Sequence, residues 1–140
     1  VIRIGVNADE FIAELEREFG ENVQGAVVEM KKRVARHIRS GAEERSPRGT
    51  RSRADKKGKP AGPLHQSWIV AVGQVYPTRT GFRVGNDAQA EEALRGLRPD
   101  QPVFVQSTSF KSGFFEHGTA KMAPRPIVAH LIEETKEFIG

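Results

Sequence analysis

Five apolar residues, Val23, Val27, Met30, Val34 and Ile38, recur at steps of four, three, four and four. Steps of that size return to one side of an α-helix, so the spacing predicts a helix from about Asn22 to Glu44 with one apolar stripe. Lys32, Arg36 and Arg39 fall on the opposite side and are expected to face water. His37 lies at the edge of the stripe and reads as a core-edge residue rather than a ligand.

Shorter signals surround that helix. Ile2, Ile4 and Val6 alternate as a strand would. Asn7 with Glu10 three residues on has the capping-box spacing, and Phe11, Ile12, Leu15 and Phe19 share one helical face before Gly20. Gln66 to Val75 reads as a strand, with Trp68, Val70 and Val72 on one face and Ile69, Ala71 and Val75 on the other. Apolar residues on both faces mean that both are covered. The Tyr76–Gly81 stretch has turn chemistry, so Phe82-Arg83-Val84 is expected to return beside that strand as an antiparallel hairpin. Asn86 or Asp87 can cap a short helix over Ala88–Leu97, stopped by Arg98-Pro99-Asp100. Val103-Phe104-Val105 and Gly113-Phe114-Phe115-Glu116 are further strand candidates. Pro126, suited to the first helical position, opens an amphipathic last helix through Ile127, Leu131, Thr135 and Phe138. The expectation is a single domain over 1–140 of the α+β class, with a central antiparallel sheet, a long helix before it and a C-terminal helix packed on it.

Charge is concentrated in one place. Between Arg45 and Pro60 stand Arg45, Arg48, Arg51, Arg53, Lys56, Lys57 and Lys59 against Asp55 alone, a net +6, while the rest of the chain carries −2. The same stretch lacks any large apolar residue and continues through Ala61-Gly62-Pro63, so 45–63 is expected to be a flexible loop with nothing to pack. Its charge suits a polyanion or an acidic protein surface. No aromatic residue stands in it to stack on bases, which limits the nucleic-acid reading to nonspecific backbone contact.

Composition then excludes several classes. The chain has no cysteine, so disulfides, thiolate metal sites and thiol nucleophiles are ruled out. At 140 residues it can remove roughly 68% of its unfolded surface from water without such staples. No apolar run is long enough to span a membrane and no secretory signal is visible, so a soluble protein made in the cytoplasm is expected. Phosphate-loop, zinc-protease, calcium-loop and nucleophile-elbow motifs are missing, and His37, His65, His117 and His130 are scattered over different elements. No enzymatic role, metal or cofactor is expected. In Glu116-His117-Gly118-Thr119 the glycine suggests a turn whose role is structural, with Gly118 supplying a conformation that a side chain would strain. Adjacent Phe114 and Phe115 in a short strand cannot both face one subunit's core, which places that edge at a contact between subunits.

Two stretches, in order, carry a family resemblance. Arg45-Ser46-Pro47, followed beyond the basic loop by Gly62-Pro63-Leu64-His65-Gln66-Ser67-Trp68, is similar to the pattern "aPv.tG.L..Si". Phe114-Phe115-Glu116-His117-Gly118-Thr119, then Ala123-Pro124-Arg125-Pro126-Ile127, resembles "Y..fvEfGT…p.rPfl.pA". Both patterns belong to the small neck and tail-completion proteins of long-tailed bacteriophages and prophages. Here the basic loop separates Pro47 from Gly62, where the family usually has a few residues, and Gly62-Pro63 replaces its Thr-Gly step. The resemblance implies a virion structural protein of the head–tail junction, working as a homo-oligomeric ring, hexameric or dodecameric, without catalysis. Its implied partners are adjacent connector, head-closure and tail proteins and, through the basic loop, packaged DNA. Its implied place is the virion neck, assembled in the host cytoplasm. Trp68, Phe114, Phe115, Glu116 and Thr119 are the residues expected at the subunit interface. The alternative reading is a small nonspecific nucleic-acid-binding protein acting through the basic loop.

Overall fold

The apolar stripe forms as expected in helix α1 (Val23–Arg45), which buries Val34, Ala35, Ile38 and Ala42. A computed structural model describes residues 1–4, 13, 17, 20, 23–47, 53–54, 60–61, 63–77, 81–109, 112, 116–118, 120, 123–124 and 126–139. The expected capping box and the apolar face of Phe11 to Phe19 lie outside those residues.

Strand β1 (Ile2–Ile4) precedes α1, and a ribbon of β2 (Arg53–Ala54) and β3 (Pro60–Ala61) follows it. A 3-10 turn (Leu64–Gln66) leads into β4 (Trp68–Val72), then α2 (Asp87–Leu94), β5 (Val103–Ser107) and α3 (Val128–Ile139). β5 is the middle strand of a three-stranded antiparallel sheet ordered β1-β5-β4, with both Ile2 and Val70 opposite Val105. Ile2, Ile4, Trp68, Val70, Val103 and Val105 form one face and join the core with α1. Leu94 from α2 and Leu131 from α3 close the same core. The fold is α+β, a central antiparallel sheet with a long helix before it and helices packed near it. No helix among the described residues is long and apolar enough to cross a membrane.

The expected hairpin does not form. β4 pairs with β5 instead, and Phe82-Arg83-Val84 is not a strand. Val103 and Val105 are fully buried on the core face, whereas Val84 remains 50% exposed, so β5 removes more apolar surface from water than the nearer segment does. The 82–84 segment is held by a side chain: the Arg83 N–H donates to Thr108 Oγ1 at 3.0 Å, and the Thr108 hydroxyl donates to the Arg83 carbonyl at 2.7 Å. On the sheet's second face, where Ile69 and Gln106 are both 1% exposed, the Gln106 amide likewise binds both main-chain groups of Tyr76. That bond folds the segment after β4 over the second face, which satisfies the expectation of two covered faces in the region of Ile69.

One basic residue of α1 departs from expectation, and another, of which the spacing said nothing, is buried. Arg39 is 2% exposed, because α2 packs on the flank assigned to water; it pairs with Asp87 at the start of α2 and with Glu43. Lys31 is also buried and donates to the carbonyls of Pro99 at 2.7 Å and Gln101 at 2.9 Å, fastening the turn between α2 and β5. His37, by contrast, is exposed rather than at the core edge. Asn86 caps α2 as expected, accepting the Gln89 N–H. α2 ends at Leu94 rather than Leu97, and α3 begins at Val128, two residues beyond Pro126.

Gly85 lies where the chain crosses the edge of β4, with its N–H bonded to the Gln66 carbonyl at 2.7 Å. A Cβ there would stand 1.7 Å from the Trp68 carbonyl oxygen, a backbone atom that cannot swing away. Gly85→Ala is therefore expected to lower stability by more than about 3 kcal/mol, measured by urea unfolding. Burial holds the Lys31 pKa below the ordinary lysine value, with Asp100 opposing and Arg3 reinforcing the effect. Between the folded value and the unfolded one the unfolded chain binds the extra proton, so this contribution to stability rises with pH up to about 10.4. The stability difference between the parent chain and Lys31→Met should move in the parent's favour as pH climbs from neutral through that window.

Candidate functional site

The residues of the first motif are joined across the basic stretch. Ser46, at the end of α1, is 4% exposed. Its hydroxyl donates to the Ala42 carbonyl at 2.7 Å and accepts the Trp68 indole N–H at 2.7 Å. Trp68, expected at an interface, is 1% exposed, so its side chain is buried within the chain's own core. An indole buries a large apolar area but requires an acceptor for its N–H, and Ser46 supplies one from the other side of the loop. Next along, Ser67 Oγ lies 2.6 Å from Ser107 Oγ and donates to the Leu64 carbonyl at 2.6 Å.

Between these fixed ends, Arg53 and Ala54 pair antiparallel with Ala61 and Pro60. The segment read as a loop with nothing to pack thus contains a buried serine and a short ribbon. Proline has no N–H to donate, which suits an edge position such as Pro60 holds in this two-stranded pair. Arg45 is bound back onto the fold, pairing with Glu134 of α3 and donating to the Gly41 carbonyl. Arg48, Arg51, Lys56, Lys57 and Lys59 lie outside the described residues.

The second motif closes on itself in the same manner. Glu116, expected to end a strand, is helical, as is His117. The Glu116 carboxylate accepts the N–H groups of Ile127 and Val128, which are unpaired donors at the start of α3. A carboxylate there also meets the positive end of the helix dipole. Gly118 adopts φ +75°, the left-handed conformation anticipated for it. Glu116 therefore ties the Glu116-His117-Gly118 turn to the helix that Pro126-Ile127 introduces. Phe114, Phe115 and Thr119 lie outside the described residues.

A cleft of about 400 Å³ runs along the outer edge of β4, lined by Ala71, Val72, Tyr76, Arg83, Gln89 and Glu92 among others. The Arg83 guanidinium lies 5.6 Å from the centre of the Tyr76 ring, a cation–π contact. Sequence reasoning missed this cleft because it assigned Tyr76 and Arg83 to a hairpin turn and its returning strand. Among the described residues no group of three or more His, Asp or Glu side chains could hold a metal ion. His65, in the first motif, has its Nδ1 buried without a hydrogen-bond partner. Comparison with protein-family models, with curated proteins and with solved structures finds no match.

The Ser46–Trp68 bond gives a direct test. Ser46→Ala leaves the indole N–H buried without its acceptor and is expected to cost about 1–3 kcal/mol. On a Trp68→Phe background, where no donor remains, the same change should cost measurably less. Equal costs on both backgrounds in a double-mutant cycle would show that the bond contributes nothing.

Proposed function

We propose that this chain is a structural virion protein of the phage head–tail junction, a neck or tail-completion ring subunit that joins the tail to the DNA-filled head. The observation that carries the reading is the use made of the two motifs that resemble that family. Ser46 and Trp68 hold the first together, and Glu116 joins the two halves of the second through the N-terminus of α3. Residues spent on closing a scaffold suit a protein whose task is to hold shape within an assembly.

In this reading the subunits form a homo-oligomeric ring, without cofactor or catalysis, and the basic segment meets a partner while Ser46 and Trp68 tie its two ends together. Copies of a net +6 segment around a ring repel one another unless something negative lies among them. An acidic surface on an adjacent connector protein is the favoured partner, because a DNA conduit that gripped its cargo would hinder passage. The second reading, nonspecific nucleic-acid binding through the same segment, is favoured by its charge alone.

One experiment separates the readings. Purified protein should form rings by electron microscopy, and particles lacking it should accumulate as filled heads and separate tails. The variant with Arg48, Arg51, Arg53, Lys56 and Lys57 all changed to Ser should fail to restore joining, while the parent protein shows no affinity for duplex DNA at ~0.15 M salt. Tight duplex binding at that salt, with log K falling against log salt at a slope of roughly −6, favours the nucleic-acid reading. Normal joining without the protein contradicts the neck assignment.

A further inference from the structure

Arg45, the last residue of α1 and the first cation of the basic stretch, is folded back along its own helix. One guanidinium nitrogen donates to the Gly41 carbonyl at 3.2 Å, a turn earlier in α1, and another is bonded to the Glu134 carboxylate on α3. Gly41 leaves the room for this posture, since a Cβ there would stand 3.1 Å from the guanidinium and 2.7 Å from Leu131 of α3. Both members of the pair remain open to water, the Arg45 side chain being 33% exposed and that of Glu134 49%. An ion pair so placed contributes little to the fold. Leu131 and Thr135 are buried on the inner side of α3, so that helix is anchored without it.

The consequence of the pair falls on Arg45. The stretch from Arg45 to Pro60 carries a net +6, yet its first charge is neutralised by a carboxylate of the same chain. Ser46, next in sequence, fixes the root of the stretch through its bond to Trp68, so Arg45 stands at that root. We propose that Glu134 is an internal competitor for Arg45: it holds the guanidinium as a carboxylate of an acidic protein partner would, and the partner displaces it on binding. The contact to be copied is a carboxylate carried on a helix, which an acidic protein surface supplies and a nucleic acid does not. Displacement exchanges one carboxylate for another at the same guanidinium and needs only side chains to turn. An exposed pair of ordinary strength, closed for most of the time, lowers a partner's apparent affinity roughly two- to sixfold. The inference rests on the reading that the basic stretch meets an acidic protein.

A decaglutamate peptide serves as the probe, its binding to the full chain followed by fluorescence anisotropy at ~0.05 M salt. Glu134→Gln should bind it roughly two- to sixfold more tightly than the parent. That change also removes a negative charge, which would favour any anion, so the comparison is repeated on an Arg45→Gln background. There binding should start weaker than the parent's, and Glu134→Gln should gain measurably less. No gain in the parent, or equal gains on both backgrounds, overturns the competition; a pair that only supports the fold would change stability and leave affinity alone. The variant with Arg48, Arg51, Arg53, Lys56 and Lys57 changed to Ser tests the reading beneath. Loss of binding in that variant with no gain from Glu134→Gln leaves the reading standing and removes the competitor. Peptide binding that is absent in the parent, or undiminished in the Ser variant, overturns the reading and the competitor with it. A short DNA duplex that binds the parent more tightly than the peptide and gains as much from Glu134→Gln overturns the carboxylate partner.

Discussion

A sheet of three strands has two edges and two faces, and every buried N–H and carbonyl along them must find a partner or cost free energy. Beyond the ladder itself, this chain meets that constraint with side chains. Gln89 serves both main-chain groups of Val70, Gln106 both of Tyr76, and Thr108 both of Arg83. Gln89 takes the place that a residue of an additional strand would hold, and the other two bind segments that lie outside the strands. The arrangement centres on β5, whose Gln106, with Thr108 just beyond its end, fixes the segments on either side of the turn after β4. Because β5 occupies the position beside β4, the 82–84 segment is left to run along the sheet's end as a tethered strap.

Closure by side chains also explains what the two motifs do. Ser46 and Trp68 bring the end of α1 to the start of β4 across the basic stretch, so that ribbon leaves and returns at fixed points. Glu116 does the same between the 116–118 turn and α3, using a charge where the helix start presents unpaired donors. The function proposed here starts from that pattern, a core that holds itself shut on both sides of the basic stretch.

The elements with long periodic signals were legible in the sequence. The stripe from Val23 to Ile38 predicted α1 to within a residue, and Ile127, Leu131 and Thr135 are buried in or beside α3 as their spacing required. Val103-Phe104-Val105 was recognised as a strand, but nothing local revealed that it would displace Phe82-Arg83-Val84 as the partner of β4. Pairing between distant strands depends on which combination buries more surface, a property of the whole chain. Arg39 and Lys31 were hidden for a related reason. Helical periodicity gives the side of α1 on which a residue stands, but not that α2 and the 99–101 turn would cover that flank. The site was less legible than the fold: Trp68 and Glu116 were singled out as interface residues, and the bonds they make inside the chain, to Ser46 and to the start of α3, went unseen because a buried indole N–H and a free helix start demand partners that spacing alone does not display.

Native-state hydrogen exchange at the amides of Tyr76 and Arg83 tests the central claim most directly. Neither residue lies in a strand, so the ladder does not protect them, and their N–H groups are bonded to the Gln106 amide and the Thr108 hydroxyl. The account predicts protection at both positions approaching that of the β5 amides. Exchange at the rate of an open loop, with β5 still protected, would show that side chains do not close the sheet.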